Sequence, residues 1–155
     1  VVITAGPTRE PIDPVRYISN HSSGKQGFAL AEAAAQMGAS VTLIAGPVSL
    51  PTPFGVTRID VNTADEMLVA CEKTKGIDLA IFCAAVADWK VANQATQKLK
   101  KNDKAEAPDL KFAPNQDILK TIAGLKQTRP KLVVGFAAET GNVNEKAKAK
   151  LKSKT

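Results

Sequence analysis

The stretch DLAIFCAAV at residues 78–86 is apolar along almost its whole length. A strand lying between core and solvent would show a polar residue at every second position, and this stretch does not. Continuous apolar runs are typical of strands in parallel sheets that helices cover on both faces. The sequence therefore predicts a buried central strand and, with it, an α/β fold.

Strands and helices alternate on both sides of this run. Strands are predicted at 1–5, 40–45, 56–61, 78–86 and 131–137, and helices at 27–37, 63–75, 117–126 and 144–154. Gly38 is a stop signal for the first helix, and Thr63 to Glu66 form a capping box at the start of the second. This alternation predicts one Rossmann-like domain over residues 1–155, a doubly wound, mainly parallel sheet with helices on both faces.

Two segments interrupt the alternation. The polar, proline-rich residues 7–23 are predicted to be an irregular loop, and QKLKK and DLKFA within 97–113 are predicted to pair as an inserted β-hairpin. The last predicted helix has no strand after it, whereas sheets of this type usually continue. We therefore expect the domain to lack its C-terminal segment.

The net charge of +6 owes much to lysines crowded at 98–104 and 146–154. With one Trp and one Tyr in the chain, platforms for base stacking are scarce, which disfavours a nucleic-acid partner. A phosphate-rich small ligand is favoured, and a solvated lysine surface is the alternative. No apolar run approaches the roughly 20 residues of a membrane helix. Two cysteines without metal spacing favour a reduced, cytoplasmic protein.

The motif SSGKQG at residues 22–27 comes directly before the first predicted helix. Glycines let the backbone approach a ligand, and a helix N-terminus offers free N–H groups to an anion, so the motif favours a phosphate site. The pattern of a P-loop is absent. Because no Asp or Glu follows the second strand at Ala45 to Pro47, a dinucleotide-binding dehydrogenase is disfavoured.

The loop before that motif is longer than a turn requires, which is usual for functional loops. It carries four polar side chains expected near the phosphate site: Arg9, Arg16, Asn20 and His21. For His21, the only histidine, a catalytic role and a structural hydrogen bond are both open.

Five segments together resemble the synthetase half of the bacterial bifunctional phosphopantothenoylcysteine decarboxylase/synthetase. They are ITAGPTREPIDPVRYISNHSSGKQGFALAEAA at 3–34, AAVADWK at 84–90, KLKK at 98–101, NQDIL at 115–119 and GFAAET at 135–140. The resemblance implies a ligase of coenzyme A biosynthesis that uses CTP and Mg²⁺ to join 4′-phosphopantothenate to L-cysteine. It also implies a homodimer, for which the hairpin 97–113 is our candidate arm, and a flavin-dependent decarboxylase half.

The resemblance also assigns roles to individual residues. The catalytic candidates are Asn20, Lys98 and Arg16. For binding the nucleotide, the candidates at the phosphates are Gly6, Ser22, Gly24 and Gly27, with Lys98 at the charge that develops there. The candidates at the base and sugar are Asp88, Asn115, Gln116, Asp117, Ile118 and Phe136. Further nucleotide-binding candidates are Ala84 and, on the last helix, Lys150 and Lys154. Metal ligands are not assigned.

Plainer interpretations stay open for several of these residues: Asp88 as a turn residue, Phe136 as core, and Lys98 as a solvated charge. The family usually has Asn-Pro-Asp-Ile where this chain has Gln116 in place of the proline. Two other functions are considered: a nucleotide-binding fragment without complete ligase activity, and a short-chain reductase. The reductase is disfavoured because Tyr17 is not followed by lysine at the fourth position beyond it.

Overall fold

The computed structural model describes residues 1–100 and 108–154. Five parallel strands form its main sheet, and two pairs of short antiparallel strands lie outside that sheet. The strands are β1 (Val2–Ala5), β2 (Arg9–Pro11), β3 (Tyr17–Ser19), β4 (Val41–Ala45), β5 (Val56–Asp60), β6 (Leu79–Phe82), β7 (Trp89–Val91), β8 (Phe112–Pro114) and β9 (Leu132–Gly135). The helices are α1 (Lys25–Gln36), α2 (Ala64–Lys73), α3 (Ile118–Ala123) and α4 (Val143–Lys154).

The strand order of the main sheet is β5-β4-β1-β6-β9, and every neighbouring pair is parallel. β1 is the central strand of the sheet, with two strands on each side. Its Val2 lies opposite Thr42 of β4 and Ala80 of β6. The chain first adds strands outward from β1 in one direction and then crosses to the opposite side with β6. In doubly wound sheets this point of reversal opens a crevice at the carboxyl ends of the strands.

Helices cover both faces of the sheet, as the apolar run at 78–86 predicted. Along β1, Ile3 faces a cluster that includes Phe28 of α1, while Val2 faces a cluster that includes Met67 of α2 and Ile122 of α3. Each of these side chains is at most 5% exposed. The predicted fold class, a Rossmann-like, doubly wound, mainly parallel sheet, is confirmed.

The helix signals also hold, except that the carboxylate of Glu66 accepts from the N–H of Asn62 and not from that of Thr63, so the predicted capping box is only half formed. Thr63 caps α2 through its Oγ1, which accepts a hydrogen bond from the backbone N–H of Glu66 at 3.2 Å. Asp117 caps α3 in the same way through the N–H of Lys120. No helix in the described part of the chain is long and apolar enough to cross a membrane.

The strands predicted outside the main sheet were partly wrong. Residues 7–23, predicted to be irregular, contain the ribbon of β2 and β3. In the predicted hairpin 97–113, residues 97–100 form no strand, and β8 pairs instead with Trp89–Val91. An aromatic and a β-branched residue make that segment a better strand than lysine-rich QKLK. The predicted turn at 102–108 falls mostly outside the described residues.

Candidate functional site

The crevice is built where the segments beyond β1 and β6 run side by side. The N–H of Ala85 donates to the carbonyl of Gly6 at 2.9 Å, and the N–H of Thr8 donates to the carbonyl of Ala85 at 3.3 Å. The buried hydroxyl of Thr8 accepts from the N–H of Ala87 at 3.0 Å. Both walls are therefore fixed by hydrogen bonds before any ligand enters.

Two glycines bring the start of α1 against the end of β1. Gly6 and Gly24 have φ values of 75° and 74°, a conformation that other residues rarely adopt. A side chain on Gly24 would lie 3.5 Å from the Cα of Gly6 and 3.2 Å from Val48, so it would fill the approach. The hydroxyl of Ser22 lies 3.4 Å from the N–H of Gly24. The structure thus brings these predicted phosphate-site residues together at a twelve-residue helix's positive end.

Gly27 lies deeper, between α1 and β1. A Cβ at this position would stand 2.5 Å from the Cβ of Ala5, so only glycine allows the helix to pack this closely on the strand. The residue is buried. Its predicted place near the phosphates stays a prediction, while its packing role is a finding.

Asn20 connects the long loop to the opposite wall. Its Nδ2 donates to the carbonyl oxygens of Ala85 at 3.3 Å and Val86 at 3.0 Å. The side chain is exposed, and so is its neighbour His21. Asn20 therefore stands at the mouth of the crevice, in the position of a group that a ligand could reach.

The turn at 115–118 is fastened to the same wall. The N–H of Asn115 donates to the carbonyl of Asp88 at 2.8 Å, and its Nδ2 donates to the carbonyl of Ala87, also at 2.8 Å. Its Oδ1 is buried and has no hydrogen-bond partner among residues 1–100 and 108–154. Asp88 and Gln116 are exposed, Ala84 is half-buried, and Ile118 is part of the core. The turn thus leaves one buried acceptor unused.

A cavity of about 260 Å³ lies between α3, β9 and α4. Three of the predicted nucleotide residues, Phe136, Lys150 and Lys154, are among its lining residues. Phe136 is 49% exposed, so it is not a core residue. The two lysines lie one turn apart and share a helix face, as their spacing predicted.

Both lysines form ion pairs with carboxylates. The ammonium of Lys154 lies 2.8 Å from Asp117, and that of Lys150 lies 2.6 Å from Glu139. Hydrogen bonds from Lys150 and Lys146 hold the pKa of Glu139 below its usual value. Partial burial alone would raise the pKa of Asp117, but hydrogen bonds from Lys154 and the N–H of Lys120 lower it. An anionic ligand would compete with both carboxylates.

Arg16 and Lys98 belong to a third group. The Nη2 of Arg16 donates to the carbonyl of Leu99 at 2.9 Å, which places the guanidinium beside the backbone next to Lys98. Lys98 itself is exposed. Within residues 1–100 and 108–154, no hydrogen bond or ion pair joins Lys98 to the glycine loop or to the cavity.

Sequence reasoning missed the buried polar groups of the long loop. Asp13 and Glu10 are each 2% exposed, and the Oε1 of Glu10 accepts from the N–H of Ala64 at the start of α2. Asp13 precedes a proline, which is the pattern of an ordinary turn residue. Its spacing of three residues from Arg16 is the one signal that could have indicated an ion pair.

No group of three or more His, Cys, Asp or Glu residues in the described ranges could hold a metal ion. Both cysteines are unpaired, and burial raises the pKa of the Cys71 thiol to about 12 and that of Cys83 to about 11.

Comparison with known proteins identifies the family. The model of the DNA/pantothenate metabolism flavoprotein C-terminal domain matches residues 1–155. The coenzyme A biosynthesis bifunctional protein CoaBC of Vibrio vulnificus strain YJ016 is 53% identical over 155 residues, covering 99% of this chain and 38% of that protein. CoaBC of Escherichia coli K12 is 56% identical over 152 residues, covering 97% of this chain and 37% of that protein.

Among solved structures, the C-terminal domain of a CoaBC protein superposes with a TM-score of 0.84 at 42% identity, covering 99% of this chain and 71% of that one. The chain spans less than two fifths of the length of the Vibrio vulnificus and Escherichia coli proteins. The match of the family model over the whole chain and the agreement in fold lead to one conclusion: this chain belongs to the family of DNA/pantothenate metabolism flavoprotein C-terminal domains.

Proposed function

We propose that this chain is the domain that joins 4′-phosphopantothenate to L-cysteine with CTP, through an acyl-cytidylate intermediate. One observation carries the proposal: the crevice at the reversal point of the sheet, where Gly6, Gly24 and the first turn of α1 face the wall that Asn20 ties down. Such a helix start suits a phosphate chain. The family, whose relatives are proteins of coenzyme A biosynthesis, supports the choice of substrates.

In the first step the carboxylate of phosphopantothenate attacks the α-phosphorus of CTP, and pyrophosphate leaves. Negative charge grows on the phosphate oxygens, and the backbone N–H groups and dipole at the start of α1 oppose it. Mg²⁺ enters with CTP as part of the substrate, since Mg²⁺ in nucleotide sites is held largely by phosphates and water. Lys98 supplies a positive charge to the same step.

In the second step the amine of cysteine attacks the acyl carbon, CMP leaves, and the nitrogen loses a proton. Charge develops on the acyl oxygen during the attack. A side-chain amide is a suitable donor to that oxygen, and Asn20, at the mouth of the crevice, would exchange its longer hydrogen bond, the one to Ala85, for a bond to that oxygen. Arg16 lies in the same loop, where it is paired with Asp13, and is our third catalytic candidate.

The base and sugar would lie between the turn at 115–118 and the cavity that Phe136 lines. The unused Oδ1 of Asn115 could accept from a donor on the base or sugar. Lys150 and Lys154 would exchange their carboxylate partners for phosphate oxygens.

We also propose a cytoplasmic homodimer formed through the two small ribbons, with a flavin-dependent decarboxylase domain elsewhere in the whole protein. Contact between β2 and β7 places the ribbons side by side, and their apolar side chains Tyr17, Trp89 and Phe112 are 49%, 57% and 54% exposed. The word bifunctional in the names of the relatives supports a second domain.

Pyrophosphate release tests the ligase proposal. We expect release from CTP only when phosphopantothenate is present, and CMP and the amide product only after cysteine is added. ATP should support far slower turnover. A domain that merely binds nucleotide would bind CTP in calorimetry and release no pyrophosphate, and equal rates with CTP and ATP would contradict the choice of nucleotide.

A further inference from the structure

Asp13 is the most heavily hydrogen-bonded side chain in the loop between β2 and β3. Its Oδ1 accepts from the backbone N–H groups of Val15 and Arg16, both at 2.8 Å. Its Oδ2 accepts from Nε and Nη2 of Arg16 at 3.1 and 2.5 Å, and from the N–H of Leu99 at 3.0 Å. The carboxyl group has no exposed surface.

The two oxygens do different things. Oδ1 closes a local turn, while Oδ2 reaches a segment 86 residues further along the chain. Because Arg16 also donates to the carbonyl of Leu99 at 2.9 Å, both backbone groups of Leu99 are held by this ion pair. Charge-assisted bonds of this kind are roughly twice as strong as neutral ones. The backbone beside Lys98 is therefore fixed from within the long loop.

Folding alone does not account for this arrangement. The Asp13–Arg16 pair could satisfy a turn without Leu99, and residues 97–100 belong to no helix or strand. The guanidinium beside Asp13 holds the pKa of that carboxyl well below its usual range, so Asp13 stays ionised at physiological pH. We call the link from Asp13 through Arg16 to the backbone of Leu99 the tether. A second contact, from the N–H of Ala95 to the carbonyl of Ile12 at 3.0 Å, holds the same two segments together.

We propose that Asp13 is a positioning residue that sets, through Arg16 and the backbone of Leu99, where the ammonium of Lys98 reaches during cytidylate formation. The inference rests on the role proposed above for Lys98. The carboxyl group of Asp13 has no exposed surface that a substrate could reach, so it acts only through its neighbours. A misplacement of about 1 Å in a positioned group can cost roughly 10² in rate, which is the size of effect at stake.

Asp13→Asn tests the tether itself. The asparagine has a single acceptor oxygen, so it can serve either the local turn or Leu99 and Arg16, but not both. We expect the amide of Leu99 to exchange hydrogen at least about tenfold faster, with trypsin cutting sooner after Lys98, while exchange in the main sheet is unchanged. If Asp13→Asn folds poorly, Arg16→Lys serves as the second variant. It keeps the positive charge, loses the planar guanidinium, and should show the same change.

Asp78→Asn is the matched control, since it removes an exposed ion pair with Lys131, 2.6 Å long, at the opposite end of the sheet. Exchange at Leu99 should not change in that variant. Unchanged exchange at Leu99 in Asp13→Asn and Arg16→Lys would overturn the proposal whatever reaction the protein catalyses.

A double-mutant cycle with Lys98→Gln tests the route of the effect. We expect Asp13→Asn to lower kcat for pyrophosphate release by roughly 10–10², with a smaller change in KM, and to cost nothing more in the Lys98→Gln background. Independent, multiplying losses would overturn the route through Lys98. A wild-type rate in Lys98→Gln would instead refute the role of Lys98 itself, and the exchange data would still show whether the tether exists.

Discussion

The side-chain amide of Asn20 has a structural role in the crevice and a proposed role in the second half-reaction. In the structure its nitrogen donates to two carbonyls of the opposite wall, and we propose that it also donates to the acyl oxygen of the intermediate. We predict that Asn20→Asp slows the second half-reaction more than the first, because a carboxylate cannot donate to the acyl oxygen and repels its charge. Acyl cytidylate formed without cysteine, trapped with hydroxylamine, should still appear and then discharge slowly.

The competing explanation for Asn20 is a tether alone. In that case the crevice would open as a whole, and both half-reactions of Asn20→Asp would fall by the same factor. Discharge of the intermediate at the wild-type rate would show that the amide takes no part in the second step.

Gly46 is the residue whose replacement the backbone resists most directly. A Cβ here would lie 1.7 Å from the carbonyl oxygen of Pro7, on the strip of chain that pairs with Ala85. We predict that Gly46→Ala lowers the free energy of unfolding by about 3 kcal/mol, the upper end of the usual cost of overpacking. Urea denaturation measures it.

Gly141→Ala is the control for that change, because no atom lies within 4 Å of the position a Cβ would take. It should stay within about 0.5 kcal/mol of the wild type. Equal stabilities of the two variants would mean that the chain beyond β4 shifts freely to make room.

At the scale of elements, α4 is attached to the domain through charges. None of its residues is buried, and ion pairs from Lys154 to Asp117 and from Lys150 to Glu139 lie on its inner face. We predict that Lys154→Gln raises the Kd for CTP about tenfold, the loss of one charge-assisted contact. Lys152→Gln, on the same helix but outside the cavity lining, should change it less than about twofold. Isothermal calorimetry compares the two, and equal effects would indicate a general charge attraction.

The elements that the sequence predicted well are those whose own pattern determines them. The apolar run at 78–86, the alanine-rich helix before Gly38 and the Thr63 cap each carry their signal locally. The ribbons do not: β2 is placed by the contact of Arg9 with the carbonyl of Asn62, and by β7, far along the chain. Such short strands depend on tertiary partners, so their residues alone could not predict them.

The same distinction separates the predicted from the missed parts of the site. Glycines before a helix and lysines one turn apart are visible in the sequence, and the structure places the first group at the start of α1 and the second on one face of α4. Asp13 was missed because its contact with Leu99 joins residues 86 positions apart, and no pattern in the loop predicts that partner.

At the scale of the whole molecule, the exposed ribbons predict an assembly. Trp89 is 57% exposed, and a large apolar side chain in that position is typical of an interface. We expect the wild type to sediment as a dimer and Trp89→Glu as a monomer. Phe54→Glu, fully exposed and just before β5, should remain dimeric. A monomeric wild type, or a dimeric Trp89→Glu, would contradict the proposed interface.

The wall of the crevice from Ala85 to Ala87 is held by two side-chain amides that donate to its main-chain carbonyls: Asn20 to Ala85 and Val86, and Asn115 to Ala87. Any amino acid presents the same carbonyl, whereas few side chains can replace a carboxamide. In a saturation mutagenesis screen for survival, Asn20 and Asn115 should therefore reject nearly all replacements. Residues 85–87, whose carbonyls accept these hydrogen bonds, should tolerate many side chains that fit the space available. The crevice can in this way keep its shape while the residues along its wall diverge.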